Sequence, residues 1–306
     1  MEVHRRLTAK PLDYLAWLKD ELAAIAHGRA AVELPPKQIF PDSPGDADFR
    51  VMPCVVRQGT CVRKTVKVIG TNTRQITVPD QIAVGKALVV DPVENFVSHV
   101  IDACLLSSAR TGACAAIAAE LLASARSSVA VIGAGRVGYY SALYLASCYG
   151  VGRITLADSD PQRAQQTTRL LASQVAGVEF RAETMAELSG IDVLVLATTS
   201  IEPLCRPPAS GARLVISLGA DTDYQRELAS EWTDLADLYV DTLDSARFGD
   251  LAAWIRAGRI GTDRLTDLLT VLRTQPWPAP TRTRLFVSTG SALFDNLSIG
   301  YLLARA

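Results

Sequence analysis

Six consecutive residues, GAGRVG from Gly133 to Gly138, have the spacing with the clearest chemical use in this chain. GxGxxG by itself is weak, because glycines gather in any tight turn. Here it follows directly on the apolar run SSVAVI and leads at once into the helix-forming stretch GYYSALYLASCYG. The next apolar run, RITLAD, ends in Asp158. Strand, glycine turn, helix, second strand and a carboxylate about 20 residues further on make up the fingerprint of a dinucleotide site.

Each part has a physical task. Gly133 permits the tight turn, Gly135 lets backbone approach a pyrophosphate without a Cβ in the way, and Gly138 lets helix and strand pack closely. The helix start, with Arg136 and Val137, offers free N–H groups and a partial positive charge to phosphates. Asp158, followed by Ser159, can accept hydrogen bonds from both ribose hydroxyls, and a 2′-phosphate there would meet its charge. The site therefore favours NAD over NADP, while nearby Arg163 is the feature that speaks for NADP. Thr198, Thr199 and Ser200 end another apolar run, IDVLVL, at the carboxyl edge where ligands sit in open sheets. The same triplet suits a turn or a helix cap.

Groups for a second ligand are sought in the first third of the chain. Lys64 and Lys67 lie three apart in CVRKTVKVIG, so on a strand they point to opposite faces, one toward a cleft and the other toward water. Arg110, read as the start of a helix in SSARTGACAA, could hold a carboxylate bidentately, or could be a surface helix residue. Asp221, in SLGADTDYQREL, falls just after a strand at the carboxyl edge, where the nicotinamide is expected. A helix N-cap is the alternative there.

The elements that must position these residues follow from periodicity. Residues 12–27 place Leu12, Leu15, Leu18, Leu22 and Ile25 on one helix face. Pro35, Pro36, Pro41, Pro44 and Gly45 make an irregular stretch. From Phe49 to about Ile101, short β-branched runs (including Ile76, Val78 and Ile82) alternate with turn residues, which reads as an antiparallel sheet. Residues 111–125 read as a helix of strong formers. After Ser127 the rhythm is strand, helix, strand, helix: SSVAVIG, GYYSALYLASCYG, RITLAD, PQRAQQTTRLLASQ, then the apolar strands IDVLVLATT and ARLVISLG and the shorter DLYV. Such alternation means a doubly wound α/β domain. The expected fold is a Rossmann NAD domain over 119–287 plus an α+β substrate domain over 1–118, with a C-terminal helix in 288–306 packing back on the latter.

Composition narrows the function classes. Lys and Arg total 31 against 32 for Asp and Glu, so no charge excess calls for nucleic acid or an acidic membrane surface. The Ala-rich run after Gly112 is broken by Glu120 and Arg126, and no membrane span is expected. The N-terminus has no apolar run behind its basic residues. Six cysteines without a CxxC pair suit a reducing cytoplasm, and three histidines without HxxxH give no reason to expect a metal.

Further motifs accumulate along nearly the whole chain: MPC at 52–54, VKVIG, ALVVDP, LLSSARTGACAAIAAELLA, LATTS, SLGADTDYQREL, VDTLDSARFGDL and GSALFDNLSIG. Together they resemble the ornithine cyclodeaminase/μ-crystallin family. The resemblance implies a dimeric enzyme that joins a substrate and dimerisation domain to an NAD(P) domain and acts on an amino acid. Mapped residue by residue, it makes Lys67 the strand lysine close to the reacting carbon, with Lys64 as rival. Arg110 becomes the holder of the substrate carboxylate, and Asp221 the group that handles the amine and its protons. Two positions depart. Ornithine cyclodeaminases carry a carboxylate two residues before the Met-Pro pair, where Arg50 stands, and many members have an arginine where Lys37 stands. IAHGRAAVELPPK, VKVIG and LLSSARTG look closer to the dehydrogenases that oxidise N-(2-amino-2-carboxyethyl)-L-glutamate and release 2,3-diaminopropionate in siderophore and antibiotic pathways. That likeness makes Lys37 a second carboxylate holder. The alternatives within the family are ornithine or lysine cyclodeamination, cyclic-imine reduction, and ligand binding without catalysis.

Overall fold

A computed structural model describes residues 2–41, 47–72, 83–274 and 281–305. Pro44, Gly45, Ile76, Val78 and Ile82 lie outside the described residues. The chain divides into two compact units, Met1–Arg110 with Ser291–Ala306, and Thr111–Gly290.

In the first unit the helix Pro11–Ala26 starts on a proline, whose missing N–H costs nothing at a first turn. Tyr14, Leu15, Leu18 and Leu22 form its buried face. The strands are β1 (Ala31–Glu33), β2 (Gln38–Pro41), β3 (Ala47–Gln58), β4 (Cys61–Asn72), β5 (Ala83–Val90) and β6 (Val97–Asp102). They form an antiparallel sheet ordered β1-β3-β4-β5-β6, with β2 also on β3. The β3–β4 hairpin turns on Gly59, whose φ of 56° suits a residue without a Cβ. Strict alternation then buries Arg50, Met52, Cys54 and Val56 on one face of β3. The register pairs Met52 with Lys67 and Cys54 with Thr65, which places Lys67 on that same face. The helix Ala292–Leu303 covers this face. Its Asn296 side-chain amide donates to the carbonyls of Cys54 and Arg63, and its Ser298 meets the Tyr14 hydroxyl at 2.5 Å.

In the second unit the strands are β7 (Ser128–Ile132), β8 (Arg153–Ala157), β9 (Glu179–Ala182), β10 (Val193–Leu196), β11 (Leu214–Ser217), β12 (Ala236–Val240), β13 (Leu265–Asp267) and β14 (Thr283–Val287). All are parallel, in the order β13-β12-β14-β11-β10-β7-β8-β9. The order reverses direction between β7 and β10: the chain runs outward from β7 through β8 on one side and from β10 through β11 on the other. Three strands were not anticipated. β9 is four residues of alternating burial and β13 only three residues long. β14 hides behind the charged lead-in TRTR, yet sits between β11 and β12, its Arg284 buried and donating to the carbonyl of Leu122.

The helix expected over 111–125 spans Ala103–Leu122. Ser107 and Ser108 disguise its first two turns as a break, while the Asp102 carboxylate accepts the Cys104 N–H and caps it. Arg110 is therefore not a helix start but an interior residue of this helix. By length and apolar composition this helix could cross a membrane, but it is mostly buried core.

Candidate functional site

The glycine turn of the second unit has the geometry of a phosphate cradle. Gly133 has φ 97°, and a Cβ on it would lie 2.3 Å from the Ala197 carbonyl at the end of β10. A Cβ on Gly138 would lie 1.8 Å from the Gly133 carbonyl. Gly135 is different: nothing of the protein lies within 4 Å of where its Cβ would be. Two glycines thus let backbone pack on backbone, and the third leaves an open approach, which is the fit a pyrophosphate requires. Gly135 precedes the helix Arg136–Ala146, and Arg136 and Val137 form its first turn. Asp158 closes the cradle. Its Oδ2 accepts the Ala134 N–H at 2.7 Å and its Oδ1 accepts the Asp160 N–H at 2.9 Å. The Ser159 hydroxyl donates to Oδ1 at 3.4 Å. The half-exposed Arg163 stands 3.8 Å from Asp158 Oδ1.

Thr198, Thr199 and Ser200 follow β10 in a loop that starts no helix, so they are a turn rather than a cap. Ser200 N–H donates to Thr198 Oγ1. Asp221 likewise precedes no helix, which removes its N-cap alternative. Its N–H closes a turn on the Gly219 carbonyl at 3.1 Å.

Sequence reasoning missed the group that ties these two loops. Glu227, fully buried, accepts from Thr198 N–H at 2.8 Å and Thr198 Oγ1 at 2.9 Å on one oxygen. On the other it accepts from the Ser217 hydroxyl at 2.7 Å and Gly219 N–H at 2.9 Å. Burial still raises its pKa, against the pull of these four neutral donors. Behind it, Asp250 Oδ2 accepts the Glu227 and Leu228 N–H groups. Burial, with repulsion from Glu227, pushes Asp250 up to about 7.

In the first unit the sheet face carries a buried ion cluster. Lys67 Nζ lies 2.6 Å from Asp295 Oδ2, and Arg110 Nε donates to Asp295 Oδ1 at 2.9 Å. Arg110 Nη2 donates to the Ser107 hydroxyl at 3.2 Å, and Lys67 Nζ reaches the same hydroxyl at 3.4 Å. Burial brings Lys67 down to about 7, helped by the positive charges of Arg110 and Lys37 and opposed by Asp295. Burial resists ionisation of Asp295 too, but the Lys67 ammonium and Arg110 guanidinium outweigh it and hold the carboxyl below its usual range. Lys37 is buried as well. Lys64 is elsewhere: its ammonium donates to Asn95 Oδ1 and the Pro92 carbonyl, on the opposite face from Lys67. Arg50 is buried in a two-pronged pair with Asp48, at 2.8 and 3.0 Å. Asp295 was missed by sequence reasoning. Its signal was a lone carboxylate in the apolar helix ALFDNLSIGYLL, and Glu227 and Asp250 left similar traces in RELAS and GDLAAW.

The model of the ornithine cyclodeaminase/mu-crystallin family matches residues 2–295. The chain belongs to this family. Among relatives, L-lysine cyclodeaminase of Streptomyces rapamycinicus is 30% identical over 285 residues, 90% of this chain and 80% of that protein. Alanine dehydrogenase of Archaeoglobus fulgidus is 29% identical over 175 residues, 56% of this chain, and the match spans only 54% of its length. Two solved structures establish the fold. Δ1-pyrroline-2-carboxylate reductase of Thermococcus litoralis, in complex with NADH and L-proline, has a TM-score of 0.86 at 20% identity, covering 97% of this chain and 93% of that one. An archaeal alanine dehydrogenase dimer with bound NAD has a TM-score of 0.85 at 23% identity, covering 100% and 93%. The family is one of NAD-dependent amino-acid dehydrogenases, reductases and cyclodeaminases.

Proposed function

We propose that this family member is an NAD-dependent oxidoreductase acting on the α-carbon C–N bond of an amino acid or of an N-substituted amino-acid adduct. The observation that carries the reading is the buried Lys67–Asp295–Arg110 cluster. Arg110 spends Nε and Nη2 on Asp295 and Ser107. Nη1 has no protein partner among the described residues, and it is the group for a substrate carboxylate. Lys67, brought down to about 7, can hold or release a proton at neutral pH.

Gly133, Gly135, Arg136, Val137 and Gly138 would hold the pyrophosphate, Asp158 and Ser159 the adenosine ribose, and Thr198, Thr199 and Ser200 the nicotinamide end. NAD, when bound, supplies a hydride acceptor. Asp158 makes NAD the cofactor rather than NADP, since its charge would face a 2′-phosphate. Arg110 and Lys37 orient substrate carboxylates, and Asp221 accepts the amine proton and then activates the water that hydrolyses the imine. As in the alanine dehydrogenase dimer, we read the working form as a homodimer.

The narrower reading is oxidation of N-(2-amino-2-carboxyethyl)-L-glutamate. The glutamate α-carbon loses hydride, its nitrogen loses a proton, and water splits the imine into 2-oxoglutarate and 2,3-diaminopropionate. The buried Lys37 suits a substrate with more than one carboxylate, and Arg50, paired with Asp48, stands where ornithine cyclodeaminases carry an acid. A second reading, redox-neutral cyclodeamination of ornithine or lysine, is favoured by the likeness to lysine cyclodeaminase over 90% of the chain.

Absorbance at the NADH band, with amino acids, the glutamate adduct and cyclic imines, separates these readings. Net NADH formation on the adduct supports the lead proposal. Ammonia release without net NADH marks a cyclodeaminase, and NADH consumption on an imine marks a reductase. Tight NADH binding with no turnover on any of them marks a ligand-binding protein. Asp221→Asn is expected to slow turnover by about 10²–10⁴-fold.

A further inference from the structure

We propose that Glu227, backed by Asp250, is a positioning residue that sets the loops after β10 and β11 for the nicotinamide half of the dinucleotide. The proposal rests on the dinucleotide reading above and adds to it a residue that touches neither ligand.

The sheet order places β7 and β10 on either side of the point where the strand order reverses, and ligands in open α/β sheets lie at the carboxyl ends there. Glu227 is bonded both to the loop after β10, through Thr198, and to the end of β11, through Ser217 and Gly219. The two loops meet backbone to backbone around it. A Cβ on Gly219 would lie 2.0 Å from the Thr198 carbonyl and 2.4 Å from Glu227 Oε1. The Thr198 loop in turn abuts the glycine cradle, where a Cβ on Gly133 would strike Ala197. Asp221 hangs on the same tie, since its N–H closes on the Gly219 carbonyl. Any shift of Glu227 is therefore passed to Thr198–Ser200 and to Asp221 together.

The chemistry of the donors explains why a carboxylate is used. Each Glu227 oxygen faces one backbone N–H, from Thr198 or from Gly219, and a backbone N–H cannot turn into an acceptor. A glutamine would set its NH₂ against one of them in either orientation. Asp250 fixes Glu227 from behind by accepting its N–H and that of Leu228, from the first turn of the helix Gly249–Arg256. Among the described residues Asp250 Oδ1 is buried without a hydrogen-bond partner, an unfavourable arrangement that fits a group retained for placement rather than stability.

The test compares two ligands on the full chain by titration calorimetry: NADH, and ADP-ribose, which lacks the nicotinamide. Glu227→Gln is expected to weaken NADH about tenfold while leaving ADP-ribose within about twofold of the wild type. Ser217→Ala, which removes one neutral donor, should move NADH in the same direction by about threefold, and serves if the glutamine variant does not fold. Equal weakening of both ligands, or no weakening of NADH, overturns the positioning role. A wild-type chain that binds neither ligand overturns the dinucleotide reading itself, and this inference with it.

Discussion

Asp295 in the first unit and Glu227 in the second are both fully buried carboxylates, and they are shifted in opposite directions. Asp295 is met by two cations, Lys67 and Arg110, and stays below the usual carboxyl range. Glu227 is met by four neutral donors, and burial still lifts it. The difference shows what each kind of partner supplies in a low-dielectric interior. Opposite charge offsets desolvation outright, whereas aligned N–H and O–H dipoles offset it only in part. The first unit thus builds its candidate site from charges that need one another, and the second from backbone arranged around a saturated acid.

Removing one member of each set tests that contrast. The largest effect is expected for Asp295→Ala, which leaves Lys67 and Arg110 buried without their counter-charge. Stability should fall by about 3–5 kcal/mol, read from urea unfolding. A loss no larger than that of an average surface substitution would break the comparison.

Next come the glycines of the cradle. Gly138→Ala forces a Cβ onto the Gly133 carbonyl and should cost about 1–3 kcal/mol of stability. Gly135→Ala meets open space, so stability should stay within about 0.5 kcal/mol while NADH affinity falls about tenfold or more. Thermal unfolding paired with NADH titration separates the two outcomes.

Asp250 sharpens the comparison through pH. Its folded pKa is raised from 3.8 to about 7, so across that window the folded chain binds more protons than the unfolded one. Stability from this group is present below pH 3.8 and is lost as pH rises toward 7. Asp250→Asn keeps an acceptor for the Glu227 and Leu228 N–H groups without the charge. It should stabilise the chain by about 1 kcal/mol or more at pH 7.5, with a smaller gain at pH 4.5, in denaturant titrations at both values. Asp295 runs the other way: its folded pKa is depressed, so its contribution is lost as pH falls below the ordinary 3.8.

The smallest effect belongs to Lys64→Ala. Its ammonium is bonded to Pro92 and Asn95, away from the ion cluster, so stability should change by no more than about 0.5 kcal/mol, and turnover should stay near wild type. Loss of turnover comparable to that of Lys67→Ala would favour the rival, Lys64, as the working lysine.

Much of the second unit could be read locally. β7, β8, β10, β11 and the helix Pro161–Gln174 announce themselves as apolar runs and capped helices, because a strand covered on both faces needs no distant information to look buried. β14 escaped because only its place between β11 and β12 makes it central. The start of the helix at Ala103 escaped because two serines near its N-terminus imitate a turn, while the cap that matters is one aspartate earlier.

The sequence by itself determined the glycine turn, the aspartate that ends the next strand and the parallel sheet beneath them, since each depends on neighbours within a few tens of residues. It could also say that Lys64 and Lys67 face opposite ways. Only the tertiary structure decided which lysine is buried, that Asp295 joins it to Arg110, and that Glu227 binds two strand ends into one support. The physical reason is the same in each case. A buried charge is stable only beside its partners, and these partners come from distant parts of the chain that folding alone brings together.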